Sequence, residues 1–277
     1  MTKRERLRAI LNGSTCVHPA SVVEPLGMRA AQEIGYEVLM MGGSLVSLAV
    51  LGAPDVAVLT LTELAEQVRR VCRAGDLPVV VDGDHGYGNA LSVRRMVEEL
   101  EAAGAAAVTV EDTLLPAAFG SEKASLIAVK EAVGKIRAAL DARTDPLFSV
   151  IGRTNAALAS ASEMLGRQQA FADAGADALF IANLKTLEQL DALAKKARVP
   201  LLLGSAIPGV GTEELAARKV RLSLKGHQAA FAAIAAQYRG LYQIRHGREP
   251  ADLDARKLVK QLSQDERYAR WAEEFLK

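Results

Sequence analysis

Eight short apolar runs, each followed by a segment of helical periodicity, order this chain from end to end and leave few folds open to it. The runs are "PASVVEP" (19–25), "YEVLMMGGS" (36–44), "LPVVVDGD" (77–84), "AAAVTVED" (105–112), "LFSVIGRTNA" (147–156), "ADALFIAN" (176–183), "VPLLLGS" (199–205) and "VRLSLKGH" (220–227). Between them lie segments such as "LTELAEQVRRVCRAG" and "ALSVRRMVEELEAAG", whose apolar residues recur at helical spacing. Strands so short and apolar are buried on both faces. Strict strand–helix alternation repeated eight times predicts a closed parallel α/β barrel of the (β/α)8, or TIM, type. An open doubly wound sheet is the rival, but no G-x-G-x-x-G follows the first run. The pair "AG" ends three helical segments, at Gly75, Gly104 and Gly175, and predicts left-handed helix stops there.

A chain of 277 residues, 50% of them hydrophobic, is long enough to bury such a core. The barrel is expected over residues 1–240, followed by a C-terminal helical oligomerisation segment over 241–277. In that segment Tyr268, Trp271 and Phe275 share one helical face. A partner subunit is the expected cover for this stripe, and packing on the chain's own barrel is the alternative. Lys and Arg number 34 against 33 Asp and Glu, a net charge of +1, which leaves no electrostatic footprint for nucleic acid or an anionic membrane. The opening "MTKRERLRAILNG" has the pattern of an amphipathic helix rather than of a signal peptide, and no apolar run nears the roughly 20 residues that span a bilayer. A cytoplasmic location is expected.

In a parallel barrel, chemistry gathers where the strands end at their C-termini. The residues found there are Glu24, Gly42-Gly43-Ser44, Asp82 and Asp84, Glu111-Asp112, Arg153-Thr154-Asn155, Asn183, Ser205 and Gly226-His227, with Asp55 on a nearby loop. Carboxylates without a thiolate or imidazole cluster make a hard oxygen site, suited to magnesium or manganese and unsuited to zinc. If the third strand persists, its period of two puts Asp82 and Asp84 on one side. A divalent ion would then relieve their repulsion; the alternative is that they cap the next helix. Arg153 suits bidentate capture of a substrate carboxylate, or an ion pair with Glu111 or Asp112. Ser44, behind two glycines, is either part of a small anion nest or of a plain turn. His227 is either a donor to a substrate oxygen or a polar helix cap. Cys72 is expected in the core.

The string "DGDHGYGNA" resembles the D-x-D-x-G-Y-G signature of the isocitrate lyase / phosphoenolpyruvate mutase superfamily. "GGS", "TVEDT" and "GRTNA" follow in that family's order, so the likeness spans nearly the whole chain. Within it, "GGSLVSLAVLGAPD", "EDTLLPAAFG", "VGKIRAAL" and the "GH" before the last barrel helix are most similar to the oxaloacetate decarboxylase branch. The resemblance implies a barrel whose Mg2+ binds a small α-keto acid or its enolate. Asp82 would be the direct metal ligand, with Asp84, Asp55 and Glu111 acting through water. Ser44 and Arg153 would bind the substrate carboxylate, and His227 would contact the substrate. The resemblance further implies a homotetramer that exchanges a C-terminal helix between subunits.

Departures narrow the chemistry. The lyases carry a K-[KR]-C-G-H loop, whereas this chain has "EDTLLPAAFGSEKAS"; the mutase has a lysine soon after E-D-K-x-x-P, whereas Pro116 is followed by Ala117. Gly83 replaces the usual alanine, and Ala206 stands where relatives often have tyrosine. Isocitrate cleavage and phosphoryl migration are therefore disfavoured. Decarboxylation of oxaloacetate to pyruvate and carbon dioxide is expected. The alternatives are a lyase acting on a substituted malate or 2-methylisocitrate-like acid, a phosphonopyruvate hydrolase or mutase, and a catalytically idle keto-acid-binding barrel.

Overall fold

A computed structural model describes residues 1–121 and 123–277; residue 122, inside the loop 112–125, lies outside the described residues. Eight parallel strands follow one another around the sheet in chain order: β1 (Ala20–Ser21), β2 (Leu39–Met41), β3 (Val79–Asp82), β4 (Ala107–Glu111), β5 (Ser149–Asn155), β6 (Ala178–Ala182), β7 (Leu201–Leu203) and β8 (Val220–Ser223). A parallel bridge joins Val17 to Leu222 of β8, linking the segment before β1 to the other edge. The architecture is the expected α/β, TIM-like one. The first run contributes only two strand residues, the fewest of the eight, and the last contributes four.

The helices are α1 (Lys3–Asn12), α2 (Pro25–Ile34), α3 (Gly43–Leu51), α4 (Leu61–Cys72), α5 (Ala90–Ala102), α6 (Val129–Ala142), α7 (Ala161–Asp173), α8 (Leu187–Lys196), α9 (Thr212–Ala217), α10 (Gln228–His246), α11 (Ala255–Leu262) and α12 (Asp265–Phe275). Thr60 caps α4 and Thr186 caps α8 in reciprocal capping boxes with Glu63 and Gln189. Gly104 and Gly175 adopt the left-handed backbone expected of them, and Gly75 does not. Among the described residues, no helix is long and apolar enough to cross a membrane.

Two apolar layers hold the sheet. Between strands and outer helices lies the larger core, with Phe148, Phe171, Met96 and Cys72 buried in it. Inside the barrel, Met40, Val80, Ala107, Ile151, Ala178, Phe180, Leu202 and Leu222 fill the interior. Leu7 and Leu11 of α1 join this inner cluster, so the amphipathic helix plugs the N-terminal end of the barrel. Arg4 pairs with Asp145 at 2.7 Å and Arg8 with Asp177 at 2.6 Å, tying the plug down. Only the C-terminal end of the strands is left for chemistry.

The C-terminal segment covers the barrel only in part: the Gly120 N–H donates to the Leu276 carbonyl at 2.7 Å, and α11 buries Leu258 and Val259. α10 runs unbroken across 240/241 and buries only Ala235, while α12 buries no residue. Tyr268 and Trp271 meet edge to face on α12, and Trp271 and Phe275 remain 38% and 61% exposed.

Candidate active site

Register determines which side chains meet at the mouth. Asp82 pairs with Thr109, Glu111 with Arg153, and Arg153 with Phe180. Arg153 Nη1 lies 2.5 Å from both carboxylate oxygens of Asp82, and Nε lies 2.9 Å from Glu111 Oε2 without hydrogen-bond alignment. The guanidinium carbon sits 5.5 Å from the Phe180 ring centroid, a cation–π support from below. The ion-pair alternative for Arg153 is therefore realised with Glu111, and with Asp82 as well. Asp112 faces the other way and pairs with Arg167 of α7 at 3.0 Å, as strand alternation requires.

β3 ends at Asp82, and Asp84 has a left-handed φ of 46°. The two carboxylates therefore do not come together by strand periodicity, which stops two residues short of Asp84. Asp84 instead reaches the mouth through a turn, anchored where its carbonyl accepts the Glu111 N–H at 2.9 Å. The Gly-Gly-Ser stretch makes room for it. A Cβ on Gly43 would lie 2.7 Å from Asp84 Oδ1, and one on Gly42 would lie 3.2 Å from the His227 ring. Ser44 is not in a loop nest but in the first turn of α3, and the Gly43 N–H is directed to Asp82 at 3.4 Å.

His227 precedes α10 but makes no side-chain cap. Its ring spans Ser21 Oγ at 2.8 Å from Nδ1 and Ser44 Oγ at 3.2 Å from Nε2. Asp55 lies solvent-accessible on the loop after α3, close enough for its charge to be felt by Asp82 and Asp84. All seven predicted residues are thus gathered at one end of the barrel. Sequence reasoning missed Ser21 and Thr109, whose Oγ1 donates to Asp82 at 2.9 Å. It also missed Tyr87, whose buried hydroxyl has no partner among the described residues.

The charges are out of balance. Burial would raise the Asp82 carboxyl, but the Arg153 guanidinium and hydrogen bonds from Arg153, Thr109 and Gly43 hold it below the usual range. Asp84 is pushed well up by burial and then by the charges of Asp82 and Asp55. Glu111 is raised to about 7, mainly by burial, with Arg153 opposing. Asp55 is raised by the protein packed around it and by Asp82. Burial lowers His227, with the Asp82 charge opposing, and so favours the neutral imidazole. One arginine thus faces more carboxylate than it can neutralise. That all-oxygen, electron-rich set fits a hard divalent cation. Among the described residues, no three Asp, Glu, His or Cys groups form a ready-made cage. The arrangement suits an ion bound directly by one carboxylate, with water completing its shell.

The raised Glu111 has a measurable consequence in the metal-free protein. Between about pH 4.5 and 7 the unfolded chain has lost this proton while the folded chain keeps it, so rising pH weakens the fold across that window. Glu111→Gln removes the contribution. The stability of wild type relative to the variant is expected to fall as pH rises through that range. Parallel melting curves would contradict the assignment.

The phosphoenolpyruvate phosphomutase family model matches residues 7–245. The chain belongs to this family. The superfamily indicated by the aspartate signature is thereby borne out. A family member named oxaloacetate decarboxylase, from Rhodopseudomonas palustris (strain BisA53), is 50% identical over 253 residues, covering 91% of this chain and 88% of that protein. A second protein of that name, from Bradyrhizobium sp. (strain BTAi1 / ATCC BAA-1182), is 46% identical over the same shares. Among solved members, phosphonopyruvate hydrolase in complex with oxalate and Mg2+ superposes with a TM-score of 0.80 at 32% identity, covering all of both chains.

Proposed function

We propose that this family member is a Mg2+-dependent oxaloacetate decarboxylase that releases pyruvate and carbon dioxide. The observation that carries the reading is the composition of the mouth in a chain half identical to proteins of that name: four carboxylates, one half-buried arginine and one imidazole, with both cysteines elsewhere. Cys16 precedes β1 at the opposite end, Cys72 lies on α4, and burial raises both thiols to about 11. A β-keto acid needs an electron sink at its ketone rather than a thiol acid–base group. The mouth supports that chemistry better than an aldol-type cleavage.

Asp82 would hold the ion directly, while Asp84, Asp55 and Glu111 would hold its water. When bound, the divalent ion would supply the electron sink for the ketone oxygen. Arg153 binds and orients the substrate carboxylate beside the ion, with its plane fixed by Phe180 beneath. Ser44 donates to the same end of the substrate. His227, neutral and held between two serine hydroxyls, donates to the ketone oxygen without adding charge to the site. The uncovered aromatic stripe on α12 supports a homotetramer in which C-terminal helices are exchanged between subunits.

Incubation with oxaloacetate and magnesium is expected to release pyruvate well above the nonenzymatic rate and to stop on addition of EDTA. Release of pyruvate at the background rate would refute the reading. Parallel tests with 2-methylisocitrate, dimethylmalate and phosphonopyruvate are expected to show no turnover.

A further inference from the structure

Asn155 ends β5 two residues beyond Arg153, so both side chains leave the strand on its inward face, about 6.6 Å apart along it. Thr154 between them points outward against Met164. In register with Asn155 is Ala182, and directly after it comes Asn183, exposed and held at a left-handed φ of 56°. Its Nδ2 donates to Asn155 Oδ1 at 3.1 Å, and the same oxygen accepts the Ala157 N–H at 3.0 Å. With that oxygen held twice, the orientation of the Asn155 amide is settled, and its Nδ2 group meets no acceptor among the described residues. Asn183 keeps a second N–H of its own. Asparagine tolerates the left-handed backbone better than most residues, and such conformations persist where neighbouring structure enforces them, often at functional sites. A mutually hydrogen-bonded pair of neutral donors therefore stands one side-chain layer above the half-buried arginine of the mouth.

The geometry points to Asn155 and Asn183 as the site for the second carboxylate of a short diacid whose first carboxylate is held at Arg153. This assignment deepens the decarboxylase reading and rests on it. In that reaction the second carboxylate is the group that departs. The C3–C4 bond breaks and its electron pair moves into C2–C3, pushing the ketone π pair onto oxygen. C4 leaves as carbon dioxide, and a proton from water completes C3 of pyruvate. A cation at this position would stabilise the negative charge that the carboxylate must surrender, holding the ground state more tightly than the transition state. Neutral amides orient the carboxylate and retain no grip on the uncharged product.

The test compares malate, which keeps both carboxylates but cannot decarboxylate, with oxalate, which reproduces only the end of the substrate at Arg153. Titration calorimetry in magnesium is run on wild type, Asn183→Gly and Asn155→Leu. Glycine accepts the backbone conformation at 183, so the first variant deletes the amide alone. Malate is expected to bind about 10- to 100-fold more weakly to the variants, and oxalate equally well to all three proteins. No binding of malate to wild type, unchanged malate affinity in the variants, or equal losses for malate and oxalate would each overturn the assignment. A wild type that binds malate but forms no pyruvate from oxaloacetate would refute the reaction and leave the diacid site standing.

Discussion

Asp82→Ala is expected to lower magnesium-dependent pyruvate release by about a thousandfold or more, since even outer partners of a metal are worth roughly 10- to 100-fold. Of the four carboxylates at the mouth, Asp82 is the one whose pKa its neighbours hold down, receiving Arg153, Thr109 and the Gly43 N–H together. Asp82→Asn keeps the shape and the Thr109 contact, and should fail almost as badly. Asp84→Asn, acting through water, should lose only about 10- to 100-fold. Steady-state kinetics across a magnesium series ranks the three. Equal effects at positions 82 and 84 would refute the division of labour, and full activity in Asp82→Ala would refute the metal site itself.

The largest effect on stability is expected one residue beyond Glu111, away from the mouth. Asp112 and Arg167 are 1% and 4% exposed and pair at 3.0 Å, with Arg167 also donating to the Ile127 carbonyl and to Glu163. Arg167→Met leaves the Asp112 carboxylate buried without its cation, and should destabilise the protein by about 3–5 kcal/mol. Removing both charges, as in Arg167→Met with Asp112→Leu, should recover much of that loss. Urea unfolding of the two proteins decides it; a single variant as stable as wild type would contradict the pairing.

The architecture was legible because eight apolar runs and their intervening helices repeat one physical unit, and each run supplied a strand. α3 escaped notice because "GSLVSLAVL" is apolar nearly all round and shows no helical stripe. The site's charged members were legible as strand-end residues. Its hydroxyls were not: Thr109 sits inside an apolar run and matters only because the register sets it beside Asp82. Nor could the strand period have brought Asp84 to Asp82, because a left-handed residue ends the periodicity on which the expectation relied. The notion of an anion nest at Ser44 failed for a related reason, since the glycines before it yield their space to Asp84 and His227.

The plug formed by α1 has a consequence for assembly during synthesis. Leu7 and Leu11 pack against residues as far along the chain as Leu222 and Leu224. The ribosome therefore makes this helix long before it makes the strand that completes its binding pocket. Until β8 emerges, the apolar face of α1 has only part of its seat, and the inner cluster closes by one of the longest-range contacts in the chain. Such non-local closure is slow. The apolar face of the N-terminal helix accordingly stays open to misassociation throughout synthesis and is fully covered only once the eighth strand has left the exit tunnel.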